Sequence, residues 1–120
     1  MKNEALIKNF NAAAALDPYR LIKFGTTQTD AALAVDGTAT LLGVTDSLGA
    51  DAAGDPVDVV MGGVATVVYG GTVALGDPLT ADAQGAAIKA ATAGQKIIGY
   101  AAKAGEAGDY GSVIIDRSAI

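Results

Sequence analysis

The chain has 120 residues, the size of one domain, with a hydrophobic fraction of 51%, 16 glycines, two Phe, four Tyr and no Trp. It contains neither cysteine nor histidine, which excludes a disulfide framework, a thiolate nucleophile and a cysteine metal site, and removes the commonest general base and transition-metal ligand. The net charge of −5 is uneven: residues 1–24 carry +2 and residues 25–120 carry −7, so the body lacks the clustered Lys and Arg of a nucleic-acid groove.

Residues 1–17 interleave apolar and polar side chains. Leu6, Phe10 and Ala13 or Ala14 would share a helical face, but Asn9 and Asn11 weaken a helix and Asp17-Pro18 stops one. The segment is therefore expected to be an extended amino-terminal arm, with residues 18–120 as a single β domain. No uninterrupted apolar run resembles a signal peptide or the ~20 residues of a membrane-spanning helix. The expected site of synthesis is the cytoplasm, without export.

After Pro18, Arg20–Phe24 reads as a strand. A Thr-rich loop over 25–30 follows, then a short strand over Ala31–Val35. Asp36-Gly37 is a hairpin dipeptide, with Thr38–Val44 as the expected return strand. Residues 45–55 are a loop. Pro56–Met61 is a strand, Gly62-Gly63 a tight turn, and Val64–Tyr69 the expected partner of Pro56–Met61. Leu79–Ala81 and Ala86–Ala90 flank Asp82-Ala83-Gln84-Gly85, where Asp at the first position and Gly at the last suit a type I turn. Lys96–Ala101 and Ser112–Asp116 are the last strands. Turns recur about every ten residues and no amphipathic helix follows Tyr19, which predicts an all-β fold: a small antiparallel β-sandwich or barrel.

Two quartets, Gly54-Asp55-Pro56-Val57 and Gly76-Asp77-Pro78-Leu79, stand 22 residues apart, and Gly108-Asp109 loosely echoes them. Glycine supplies a positive φ, Asp bonds backbone amides, and Pro is tolerated where a strand starts. Gly54, Asp55, Pro56, Gly76, Asp77 and Pro78, with the turn residues Asp82 and Gly85, are thus expected to punctuate the fold. Carboxylates are the only plentiful reactive groups. Asp46, Asp51 and Asp55 share a loop without matching a calcium-binding pattern, and nothing fixes Asp77 and Asp82 at a separation for paired-carboxylate hydrolysis. Neither Gly-Gly pair opens a phosphate-binding loop, and Lys89 and Lys96 are surface lysines. Tyr19, Tyr69, Tyr100 and Tyr110 suit either a binding face or half-buried positions. The expectation is no catalytic residue, no metal and no cofactor.

The run GDPVDVVMGGVATVVYGGTVALGDPLTADAQGAAIKA, followed by KIIGYAAKAGEAGDYGSVIID, resembles the capsid cement or head decoration proteins of tailed bacteriophages. The likeness is carried by Gly54–Val60, Val64–Val68, Val73–Leu79, Asp82–Gly85, Ile98–Ala101 and Gly108–Ile115. It implies a β-rich structural protein, not an enzyme, that binds the outside of an icosahedral head, reinforces it and often forms a homotrimer. The implied partner is the major capsid protein and the implied location the virion exterior. In that setting the arm would order on a capsid subunit, with Leu6 and Phe10 as apolar anchors and Lys2 and Lys8 meeting capsid carboxylates. The competing class is a carbohydrate- or receptor-binding β module on a virion or cell surface.

Overall fold

The computed structural model describes residues 6–25, 29–38 and 40–119; for Leu6, Ser118 and Ala119 the backbone alone is described. Five strands, β1 (Leu6–Ala12), β2 (Leu21–Phe24), β3 (Asp30–Leu33), β4 (Leu41–Thr45) and β5 (Pro56–Gly62), form a closed barrel in the order β1-β3-β2-β4-β5. The barrel closes where β1 runs antiparallel to β5, from Leu6 opposite Gly62 to Asn11 opposite Pro56. On its other side β1 meets β3 in parallel, Ala12 opposite Ala31. Side chains alternate as a half-buried strand requires. Phe10 and Ala12 point inward and Asn9 and Asn11 outward, facing Val57 and Val59 inward and Pro56 and Asp58 outward on β5.

Residues 6–17 are therefore not an extended arm. Phe10 is 4% exposed and Leu16 4% exposed, both packed with Ile22, Leu42, Val57 and Val59 in the barrel core. Leu16 and Ala50 also exchange two backbone hydrogen bonds of 2.8 Å each. Burying the Phe10 ring and pairing seven residues of backbone outweighs the low strand preference of Asn9 and Asn11, which face outward at no desolvation cost. The remaining arm residues, 1–5, lie outside the described residues.

The other five strands are β6 (Val64–Val68), β7 (Pro78–Ala81), β8 (Ala87–Lys89), β9 (Lys96–Ala101) and β10 (Tyr110–Ala119), in one antiparallel sheet ordered β6-β10-β9-β7-β8. Its inner face packs on the barrel. The shared core joins Leu21, Leu41 and Val44 of the barrel to Val67, Tyr69, Leu79, Ile98 and Val113. Strand β4 is the wall between the two cores, because Leu42 faces the barrel interior while Leu41 and Val44 face the sheet. That explains why all five of its residues are buried. The sheet also curls back on itself. Tyr69 bridges Ala87 in parallel, and Tyr19–Leu21 fills the gap through Val68 N–H to the Tyr19 carbonyl (3.0 Å) and Leu21 N–H to the Gly85 carbonyl (2.8 Å).

Two expected hairpins are not formed. Strands β3 and β4 flank β2 on opposite sides, so Asp36-Gly37 lies in a crossover instead of a tight turn. That loop docks on the second sheet, with the Gly37 carbonyl accepting Lys96 N–H at 2.8 Å. A Cβ at Gly37 would stand 2.9 Å from Thr80 Oγ1. Asp36 accepts from Thr38 Oγ1 (2.6 Å) and Thr38 N–H (2.9 Å), bonds that hold its carboxyl below its ordinary pKa. Likewise β5 and β6 do not pair. Gly63, at φ +83°, lets the chain leave the barrel and enter the second sheet, where its carbonyl accepts Ile115 N–H at 2.9 Å.

Candidate functional surface

Three turns share one hydrogen-bond pattern. In Ala52–Asp55, Ala74–Asp77 and Glu106–Asp109 the Asp N–H donates to the carbonyl of the first residue (3.2, 3.1 and 3.0 Å). Its carboxylate accepts the first residue's N–H (3.1, 2.9 and 2.9 Å). The third position is Gly54, Gly76 or Gly108, at φ +87°, +85° and +87°. Each Gly N–H then bonds the carbonyl of Ala12, Ala101 or Tyr69, whose own N–H returns to the carbonyl of the turn's Asp. A fourth turn, Thr92–Gln95, repeats the two local bonds, Gln95 N–H donating to the Thr92 carbonyl (3.2 Å) and Gln95 Oε1 accepting Thr92 N–H (2.9 Å), with Gly94 at φ +89°. Pro56 and Pro78 follow the first two turns and start β5 and β7. Asp82 serves its own turn, accepting Gln84 N–H (2.8 Å) and Ala86 N–H (2.9 Å), with Gly85 at φ +74° completing the β7–β8 hairpin.

The carboxylates are dispersed by these duties. Asp46 accepts Leu48 N–H at 3.0 Å, and Asp58 accepts from the Asn9 side-chain amide at 3.1 Å. Asp77 lies 4.0 Å from Lys89, whose side chain is exposed, and at that separation the pair is of small worth. Among the described residues no three acidic side chains converge as a metal site would need. Asp46, Asp58 and Leu48 line a shallow groove of about 180 Å³, and Asp51, Asp55 and Leu48 an adjoining one of about 310 Å³.

The tyrosines divide by environment. Tyr69 is 1% exposed and donates its hydroxyl to the Lys103 carbonyl, with the Ser112 carbonyl 3.3 Å away; burial raises its pKa above the ordinary phenol value. Tyr19, at φ +61°, packs edge-on against Tyr110 with ring centroids 5.5 Å apart. Tyr100 belongs to the outer face of the second sheet. There Val64, Ile114, Tyr100 and Pro78 stand opposite one another on four successive strands. The first three of these side chains are exposed. In the sequence Pro78 reads as strand-entry punctuation and Tyr100 as suited to a binding face, but the row itself depends on strand order and is not singled out there. Of the residues expected to anchor the arm, Lys2 lies outside the described residues and Leu6 contributes backbone pairing to β1. Lys8 is exposed with its Nζ 5.3 Å from the Phe10 ring centroid, and Phe10 is in the barrel core.

Comparison with known proteins adds what this geometry lacks. A family model described as phage cement protein matches residues 3–116. Among solved structures, the head fiber gp8.5 N base of bacteriophage phi29 superimposes with a TM-score of 0.75 at 21% sequence identity, over 98% of each chain. No curated protein matches.

Proposed function

The chain belongs to the phage cement protein family, a family of structural phage proteins, and from that premise we propose that it binds the outer surface of the phage head and holds the capsid against internal pressure. The observation that carries this reading is the family match over residues 3–116. The structure supports it in kind. The carboxylates of Asp55, Asp77, Asp82 and Asp109 serve turns, and what the surface offers is shape. The partner is the major capsid protein, and three copies meeting at a lattice position would multiply weak contacts.

Adhesion of this sort needs no single strong contact. Binding at micromolar strength is worth about 8 kcal/mol per site, and ligation selective for the expanded shell stabilises that shell by mass action. The contacts belong to the folded surface. Phe10 is not carried forward as an anchor, since its ring is already buried in the barrel core.

The test is to mix purified protein with bare expanded heads and with unexpanded shells. Selective co-sedimentation with expanded heads, together with a higher rupture temperature, is the expected result. Equal indifference to both particles defeats the proposal.

A further inference from the structure

The barrel is closed, and among the described residues the terminal strands of the second, open sheet are β8 and β6. The β8 edge is guarded. Its outward groups are those of Ala87 and Lys89; Gly70 N–H occupies the Ala87 carbonyl at 2.9 Å, and Lys89 places a charge there. The β6 edge has neither protection. Its sequence, VATVV, holds no charge and no proline, and three of its five residues are Val.

The direction of its backbone groups follows from two flanking bonds. Tyr69 N–H donates to the Asp109 carbonyl (2.9 Å) and Ile115 N–H to the Gly63 carbonyl (2.9 Å), so Gly63 and Tyr69 face β10. Antiparallel pairs alternate between bonded and non-bonded. Ala65 and Val67 therefore face β10 as well, while Val64, Thr66 and Val68 turn their N–H and C=O groups outward. Val68 N–H is taken by the Tyr19 carbonyl at 3.0 Å. The outward groups of Val64 and Thr66 have no partner among the described residues.

We propose that this open stretch of β6 receives an extended, uncharged segment of the capsid shell protein as an added strand, an inference that rests on the capsid-binding reading above. The segment lies against Val64 and Thr66, with apolar or β-branched side chains at alternate positions continuing the Val64–Ile114–Tyr100 row. A slender peptide fits better than the edge of a second copy. The free stretch is bounded by the Tyr19 closure at one end and the Gly62-Gly63 crossover at the other, leaving two outward-facing residues about 7 Å apart.

The test uses full-length protein and bare expanded heads. Thr66→Pro removes an N–H that the fold does not use and sets a ring in the path of an added strand; Val64→Lys guards the edge by charge and serves where the proline variant fails to fold. With melting temperatures near that of the wild type, either variant should bind heads about tenfold more weakly, while Thr66→Val binds normally. The Thr66 amide should exchange quickly in the free protein and slowly when bound. Undiminished binding by folded Thr66→Pro or Val64→Lys overturns this inference alone, and absence of wild-type binding overturns the capsid reading with it. Concentration-dependent self-association abolished by the same substitutions would assign the edge to a second copy and also overturn it.

Discussion

The ring of Tyr69 packs so closely on the backbone of Gly111 that a Cβ at position 111 would overlap Cζ, Cε2 and the hydroxyl oxygen at once. Gly105 supports the same ring from its other end. The ring cannot retreat, because it is 1% exposed and its hydroxyl is fixed on the Lys103 carbonyl. Gly111→Ala should thus cost about 2 kcal/mol or more through overpacking. In thermal unfolding that is a fall of roughly 8 °C or more for a domain of this size. An unchanged melting temperature would show that the ring shifts freely.

The same ring makes stability depend on alkali. Burial raises the Tyr69 pKa above its unfolded value of 10.0, so the folded protein keeps this proton at pH values where the unfolded chain has lost it. The stabilisation is complete below the unfolded pKa and is lost as pH rises through the folded one. Tyr69→Phe, which gives up the hydrogen bond to the Lys103 carbonyl, should be less stable than wild type by about 1 kcal/mol at neutral pH. Denaturant titrations should show that difference shrinking once pH rises above the unfolded value of 10.0. A difference that stays constant above pH 10.0 would contradict the assignment.

The repeated turns predict a ranked series. Gly76 sits at φ +85° with open space where a Cβ would point, so Gly76→Ala costs about 1 kcal/mol from backbone conformation alone. Asp77→Ala, which frees the Ala74 N–H, costs a similar amount. Asp77→Asn should be nearly neutral, since Gln95 fills the equivalent position in the fourth turn with an uncharged amide oxygen. Equal loss for the alanine and asparagine variants would indicate that the charge matters more than the hydrogen bond.

The all-β class and most strand positions were legible because turn residues fall between short apolar runs. Strand partners were not. Asp36-Gly37 and Gly62-Gly63 both look like hairpin turns, and the sequence has no signal that β2 lies between β3 and β4, or that β6 belongs with β10. Strand β1 was obscured for another reason. Its inward residues, Phe10 and Ala12, follow a period of two, but the Leu6–Phe10 spacing also fits a helix, and two asparagines dilute both patterns. The turn at Glu106–Asp109 gave only an echo because it lacks the proline, and the one at Thr92–Gln95 gave none because an amide replaces the carboxylate. The apolar row on the outer face was unreadable for the same reason as the topology: Val64, Tyr100 and Ile114 are far apart in sequence and become neighbours through register.

The placement of β1 yields the last prediction. An appendage of residues 1–17 could be removed without touching the stability of the rest. In this structure that deletion removes a barrel strand, opening the barrel along the β1 side of β5 and exposing Ile22, Leu42, Val57 and Val59. The truncated protein should be unfolded or aggregated. Phe10→Ala is the gentler form of the test and should cost about 3–5 kcal/mol, the loss of a buried aromatic ring plus the cavity it leaves. Lys8→Ala, two residues before it on the same strand, forfeits an exposed contact of its ammonium over that ring and should cost under about 1 kcal/mol. Circular dichroism melts of the three variants decide the matter: a truncated protein that melts like wild type would return residues 6–17 to the status of an arm.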